Sequence, residues 1–173
     1  MRGVYLIRRC VFLDILTEIK AIEQIQDKTV MQEKAKKFAE WYLTNNTNDY
    51  LCDVIEFLTE MFRLDYFEEQ NYFEFYSDVI QKLTDYFIEQ IYNHNMNSRN
   101  IDVLLFVAGV AYDYSYKYYE KLEIVRLVLS SPYITDPQKL YAVNMVLDGE
   151  PETTSEMTVE EIDKYRRFQK ELS

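Results

Sequence analysis

Apolar residues recur at intervals of three and four along most of the chain, the period of a helix with one buried face. Phe12, Ile15, Ile19 and Ile22 mark a first stripe and predict a helix over roughly residues 5–26. Thr29-Val30-Met31-Gln32 then has the form of a capping box, in which a hydroxyl and a carboxamide each satisfy an orphan N–H. It opens a second stripe of Met31, Ala35, Phe38 and Tyr42, with Trp41 beside it. A polar break at Asn45–Asn48 separates this from Leu51, Val54, Ile55, Leu58, Met61 and Phe62. A fourth stripe runs through Tyr72, Tyr76, Val79, Ile80, Leu83, Phe87 and Ile91, ending at the Asn-rich stretch Asn93–Ser98.

Val103–Tyr112 is apolar on all sides, so it is the helix that others surround. Leu122, Val125, Val128 and Leu129 form the next stripe, which stops at Ser130-Ser131-Pro132. Asp136-Pro137 reads as N-cap and first helical residue, and Leu140, Val143, Val146 and Leu147 follow, with Gly149 in the C′ position. Residues 150–157 read as an acidic linker. Thr158-Val159-Glu160-Glu161 is a second capping box before a short stripe of Ile162, Tyr165 and Phe168. A three-residue stripe behind a polar linker predicts a weakly held terminal segment. The pattern as a whole predicts an all-α fold of about eight helices, antiparallel pairs packed as a short α-solenoid or compact bundle. Residues 1–149 form a single helical domain in this reading, and 150–173 an acidic linker with a short terminal helix.

Composition narrows the chemistry. At 173 residues, a single domain buries roughly 70% of its unfolded surface and needs no metal or disulfide. Three Gly and three Pro are too few for a series of β-hairpins or a phosphate-cradling glycine loop. Cys10 and Cys52 lie among apolar residues, as reduced buried thiols do. Arg8 and Arg9 interrupt the apolar N-terminal stretch, and no run is long enough to span a bilayer. The expected location is therefore cytoplasmic. Cys10, Cys52 and the lone His94 lack the spacing of metal ligands, and no nucleophile-elbow, Walker or dinucleotide-binding motif occurs. The expectation is a protein without catalytic residues, cofactor or metal.

Residues 118–148 resemble one HEAT repeat, the helix pair of α-solenoids. The resemblance rests on Leu122, Val125, Val128 and Leu129, the turn Ser131-Pro132, the start Asp136-Pro137, and Ala142, Val143, Val146 and Leu147. Lys139-Leu140 departs from the family, which usually carries Val then Arg there. Such a pair cannot bury its own apolar face, so neighbouring helices must stack on it. In size, charge and helical rhythm the chain is also similar to small immunity proteins of bacterial contact-dependent inhibition and related polymorphic toxin systems. That resemblance implies a protein that binds and blocks one cognate toxin and does no chemistry itself.

The net charge of −11 disfavours nucleic acid and anionic membranes as partners. Its distribution is uneven: residues 1–39 carry 5 acids and 8 bases, whereas 40–98 carry 12 acids and 2 bases. Asp49, Asp53, Glu56 and Glu60 share one helical face, Glu74 and Asp78 begin another, and Asp65, Glu68 and Glu69 bridge them. Like charges at this spacing destabilise a helix by about 0.2–0.5 kcal/mol per pair, a cost that a basic partner offsets. Seven aromatics fall between Phe62 and Tyr76, and Tyr66 and Tyr72 among them have the composition of interface hot spots. The expected partner-binding residues are therefore Asp49, Asp53, Glu56, Glu60, Asp65, Tyr66, Glu68, Glu69, Tyr72, Glu74 and Asp78. The expected partner is a basic protein. The alternative is a viral or phage helical-bundle protein that sequesters a host regulator in a hydrophobic groove.

Overall fold

A computed structural model describes residues 14–45, 50–68, 72–93, 96–112, 118–147 and 157–173, without the side chains of 66–68, 73, 92–93, 111–112 and 118–120. Among the described residues the regular structure is helix alone, as the spacing predicts. The helices are α1 (Ile15–Glu23), α2 (Lys28–Asn45), α3 (Leu51–Glu68), α4 (Phe73–Asn93), α5 (Ser98–Val107), α6 (Tyr118–Ser130), α7 (Asp136–Leu147) and α8 (Val159–Leu172). A π-helical turn, Ala108–Tyr112, continues α5. The chain divides between Val79 and Ile80 into two compact units, a division that the apolar pattern does not mark. Residues 148–156, where that pattern places a domain boundary, lie outside the described residues.

In the first unit α1, α2 and α3 pack on one another. Their contact faces are the predicted stripes: Ile15, Ile19 and Ile22; Met31, Ala35, Phe38 and Tyr42; and Val54, Ile55, Leu58, Met61 and Phe62 are all buried. Trp41 is half-buried, its ring 6.0 Å from that of Phe38. The start of α2 corrects the sequence reading. Its cap is Asp27, whose Oδ1 accepts from Val30 N at 3.0 Å, two residues earlier than the expected Thr29 box. Gln32 is not free to cap, because it is 4% exposed and turned inward. Tyr50, immediately before α3, holds a left-handed φ of 58°, a conformation that side chains other than Gly seldom adopt.

The second unit is built around α5, which packs against both α6 and α7. Ile101, Val103, Leu104, Leu105, Val107 and Ala108 are buried, so the first half of the all-apolar segment is central here, whereas Phe106, Gly109 and Val110 are half-buried. The helix loosens into the π turn at Gly109, where a Cβ would stand 2.8 Å from the Tyr141 hydroxyl. The start of α7 differs from the Asp136 cap expected. Thr135 is the N-cap, and Thr135-Asp136-Pro137-Gln138 closes a capping box: Gln138 N donates to Thr135 Oγ1 at 3.4 Å, and Thr135 N to Gln138 Oε1 at 2.9 Å. The same buried Gln138 sends Nε2 across to Ser98 O (3.1 Å) and Asp102 Oδ1 (2.6 Å), fixing α7 against the first turn of α5.

The terminal helix is held firmly, contrary to its sequence. Arg126 on α6 grips Glu161 through Nε and Nη2, both at 2.8 Å, and Tyr165 donates its hydroxyl to Glu161 Oε1 at 2.8 Å. Gln169 Nε2 meets Asn144 Oδ1 at 2.8 Å, while Lys139 Nζ lies 3.7 Å above the Phe168 ring. The Lys139 cation thus serves to seat α8. Polar contacts thus supply what a three-residue apolar stripe cannot, and no one-dimensional pattern registers them.

Arg126 draws the Glu161 carboxyl below its ordinary value, chiefly by the paired hydrogen bond and against the opposing effect of burial. A carboxylate lowered on folding contributes stability that is complete above its unfolded value and is lost as pH falls through the folded one. Acid is therefore expected to release α8, and Arg126→Ala to weaken its docking by about 2 kcal/mol at neutral pH. Amide exchange along 159–172 checks both, and protection unchanged in Arg126→Ala would show that the pair is ornamental.

Candidate interaction surface

The acidic region is displayed on α3 and the start of α4, in the first unit. On α3, Asp53, Glu56 and Glu60 lie on one face as their spacing predicts, each half-buried. The stripe is not uncompensated: Arg63, one turn on, holds Glu60 through both carboxylate oxygens, with Nε to Oε2 at 2.8 Å. On α4, Glu74 and Asp78 are exposed one turn apart. Asp49 and Glu69 lie outside the described residues, as do the side chains of Tyr66 and Glu68.

Asp65 is a correction. It is 0% exposed, its Oδ1 accepting from Gln32 Nε2 at 3.1 Å and its Oδ2 from Tyr72 N at 2.9 Å. Tyr76, equally buried, donates its hydroxyl to Gln32 O at 3.2 Å. This carboxylate ties α2 to α3 and caps the chain as it enters α4, so it is no part of a partner-facing surface. Burial, and after it the charge of Asp65, pushes the Tyr76 phenol above its ordinary value. The phenol therefore stays neutral, and its stabilisation is lost only as strong alkali ionises it. Phe62 and Tyr76 are core residues, which removes two of the seven clustered aromatics from any surface.

Tyr72 and Phe75 remain half-buried at the edge of this region. Tyr72 packs edge-on to Tyr76 with centroids 6.0 Å apart, and Lys36 of α2 places Nζ 5.3 Å from the Tyr72 ring and 5.1 Å from that of Phe75. Lys36 and Gln32 were missed from sequence. The signal for Gln32 is its i, i+3, i+7 register with the buried Ala35 and Ala39, which marks a polar residue on an inward face. Nothing comparable marks Lys36, which reads as one of many surface lysines.

Of the expected residues, the structure joins Asp65 to Tyr72, pairs Glu60 with Arg63, and leaves Glu74 and Asp78 exposed. Among the described residues no cluster of His, Cys, Asp or Glu is arranged to hold a metal ion, and no helix is long and apolar enough to cross a membrane. A shallow pocket of about 400 Å³ between α6 and α8 is lined by Arg126, Ser130, Glu161, Lys164 and Tyr165. The Arg126 guanidinium there is committed to Glu161 and Glu123, leaving it no fork to offer an anion. Compared with family models, with curated proteins and with solved structures, the chain finds no match.

Proposed function

We propose that the chain is a non-catalytic binding protein that presents an acidic, aromatic-edged surface to a basic protein partner. The observation that carries this reading is the −10 charge between residues 40 and 98, with Glu74 and Asp78 exposed beside the half-buried rings of Tyr72 and Phe75. Opposite charge steers and orients a partner, and a half-buried aromatic supplies apolar area to bury against it. Asp53, Glu56 and Glu60 extend the acidity along α3. The HEAT-like helix pair α6–α7 and the resemblance to immunity proteins support the same reading: an inhibitor that occludes a basic toxin in a reducing cytoplasm. The neighbour-on-neighbour packing of its helices suits such a part, because a scaffold of this kind offers rigid faces rather than a cleft.

The test is a double reversal, Glu74→Lys with Asp78→Lys, titrated against the product of the adjacent gene. Both residues are exposed, so melting should shift by less than about 0.5 kcal/mol in stability. Affinity for a basic partner should fall by two orders of magnitude or more, since like charges opposed at an interface cost several kcal/mol. Tyr72→Ala should weaken binding even at high salt, where aromatic burial outlasts screened charge. Unchanged affinity in the double reversal would reject this surface and favour a groove on another face.

A further inference from the structure

The outer face of α8 is ordered by charge along its length. Val159, Glu160, Asp163, Arg166, Arg167 and Lys170 step by one, three, three, one and three, and so share one stripe. They line one open groove, and Val159 at its head is 76% exposed. The inward face of α8 is occupied by Tyr165, Phe168 and Gln169, so the stripe is what α8 turns to solvent. Acids occupy its N-terminal half and bases its C-terminal half. Among the described residues Glu160, Asp163, Arg166 and Lys170 make no ion pair, and Arg167 donates only to the Asp163 carbonyl, at 3.4 Å.

The helix dipole favours acids in a first turn and bases in a last one, which accounts for Glu160 and Lys170. It does not reach the middle turns, where Asp163 gives way to Arg166 and Arg167. Except at Arg166, which falls level with the partner's Lys164, a stripe graded in this way is complementary to itself when reversed. A two-fold axis crossing the helix level with residue 165 sets Glu160 opposite Lys170 of the partner subunit and Asp163 opposite Arg167 of the partner subunit, together with the symmetry-related pairs. That is the condition for an isologous contact.

We propose that the α8 stripe is a self-association surface, on which two copies of the chain pair their terminal helices antiparallel. The contact is small, carries little apolar area besides Val159, and works against the −11 charge of each copy. A single-helix contact of this kind falls below the ~1,200 Å² of stable interfaces, so the dimer is weak and forms only at high protein concentration. It is strongest at intermediate salt, where whole-molecule repulsion is screened beyond ~10 Å while pairs in contact persist.

Sedimentation equilibrium of the full chain tests this with two stripe variants. Glu160→Lys/Asp163→Lys makes the stripe wholly basic, and Arg166→Glu/Arg167→Glu/Lys170→Glu makes it wholly acidic. Each alone is expected to self-associate at least about tenfold more weakly than the parent, and a mixture of the two to pair at least as tightly as the parent. Circular dichroism and the protection of 159–172 confirm that α8 stays folded and docked in each. A parent that is monomeric at ~1 mM, association unchanged in either variant, or variants that fail to pair when mixed would each overturn the proposal.

Discussion

Leu105→Asp is expected to abolish cooperative folding of the second unit. Leu105 is 3% exposed in the middle of α5, between Val103, Leu104 and Val107, which are fully covered. An aspartate there either buries an unpaired charge or takes up a proton, and either course costs at least about 4 kcal/mol. Against a typical total of roughly 5–15 kcal/mol, that loss leaves little or no folded population. Thermal and urea melts followed by circular dichroism give the answer. A soluble variant melting within about 1 kcal/mol of the parent would mean that α5 is not surrounded as described.

The second large effect is expected at Asp65. Two donors, Gln32 Nε2 and Tyr72 N, address its two oxygens, and only a carboxylate offers an acceptor to each. Asp65→Asn retains one acceptor and turns its amide NH2 on the other donor, so it should cost about 1–3 kcal/mol. Asp65→Ala strands both donors in a buried site and should cost about 3–5 kcal/mol. Pairing it with Gln32→Leu should recover part of that loss, because one stranded group goes with it. Urea melts of the four proteins check the ladder. A neutral Asp65→Ala would return this residue to the acidic surface from which its burial removes it.

Asp65 also shows how much of the molecule was legible beforehand. It stands i+3 from Phe62, i+4 from Met61 and i+7 from Leu58, all buried, so its register already points inward. Tallying it by charge with Glu68 and Glu69 hid that. Gln138 is a similar case, four residues before buried Ala142 and carrying the fourth position of a Thr-x-x-Gln capping box. The stripes were readable because periodicity is local, although α1 stops at Glu23 short of the expected residue 26, and α5 starts at Ser98, a polar turn before the all-apolar segment. The partners were not. Gln32 meets a residue 33 positions away and Arg126 one 35 positions away, and spacing along one helix carries no information about what another helix brings to it.

The order in which helices pack bears on how the chain reaches its fold. In both units the principal contacts join helices next to each other in sequence: α1 with α2, α2 with α3, α6 with α7, and α7 with α8. Little chain entropy is spent closing loops before such contacts form, which favours rapid formation of each unit. During synthesis at roughly 5–20 residues per second, α2, α3, α6, α7 and α8 each have a finished neighbour waiting as they leave the ribosome. The Arg126–Glu161 clasp, spanning 35 residues, belongs to the last step of that sequence, so α8 is the final helix to find its place.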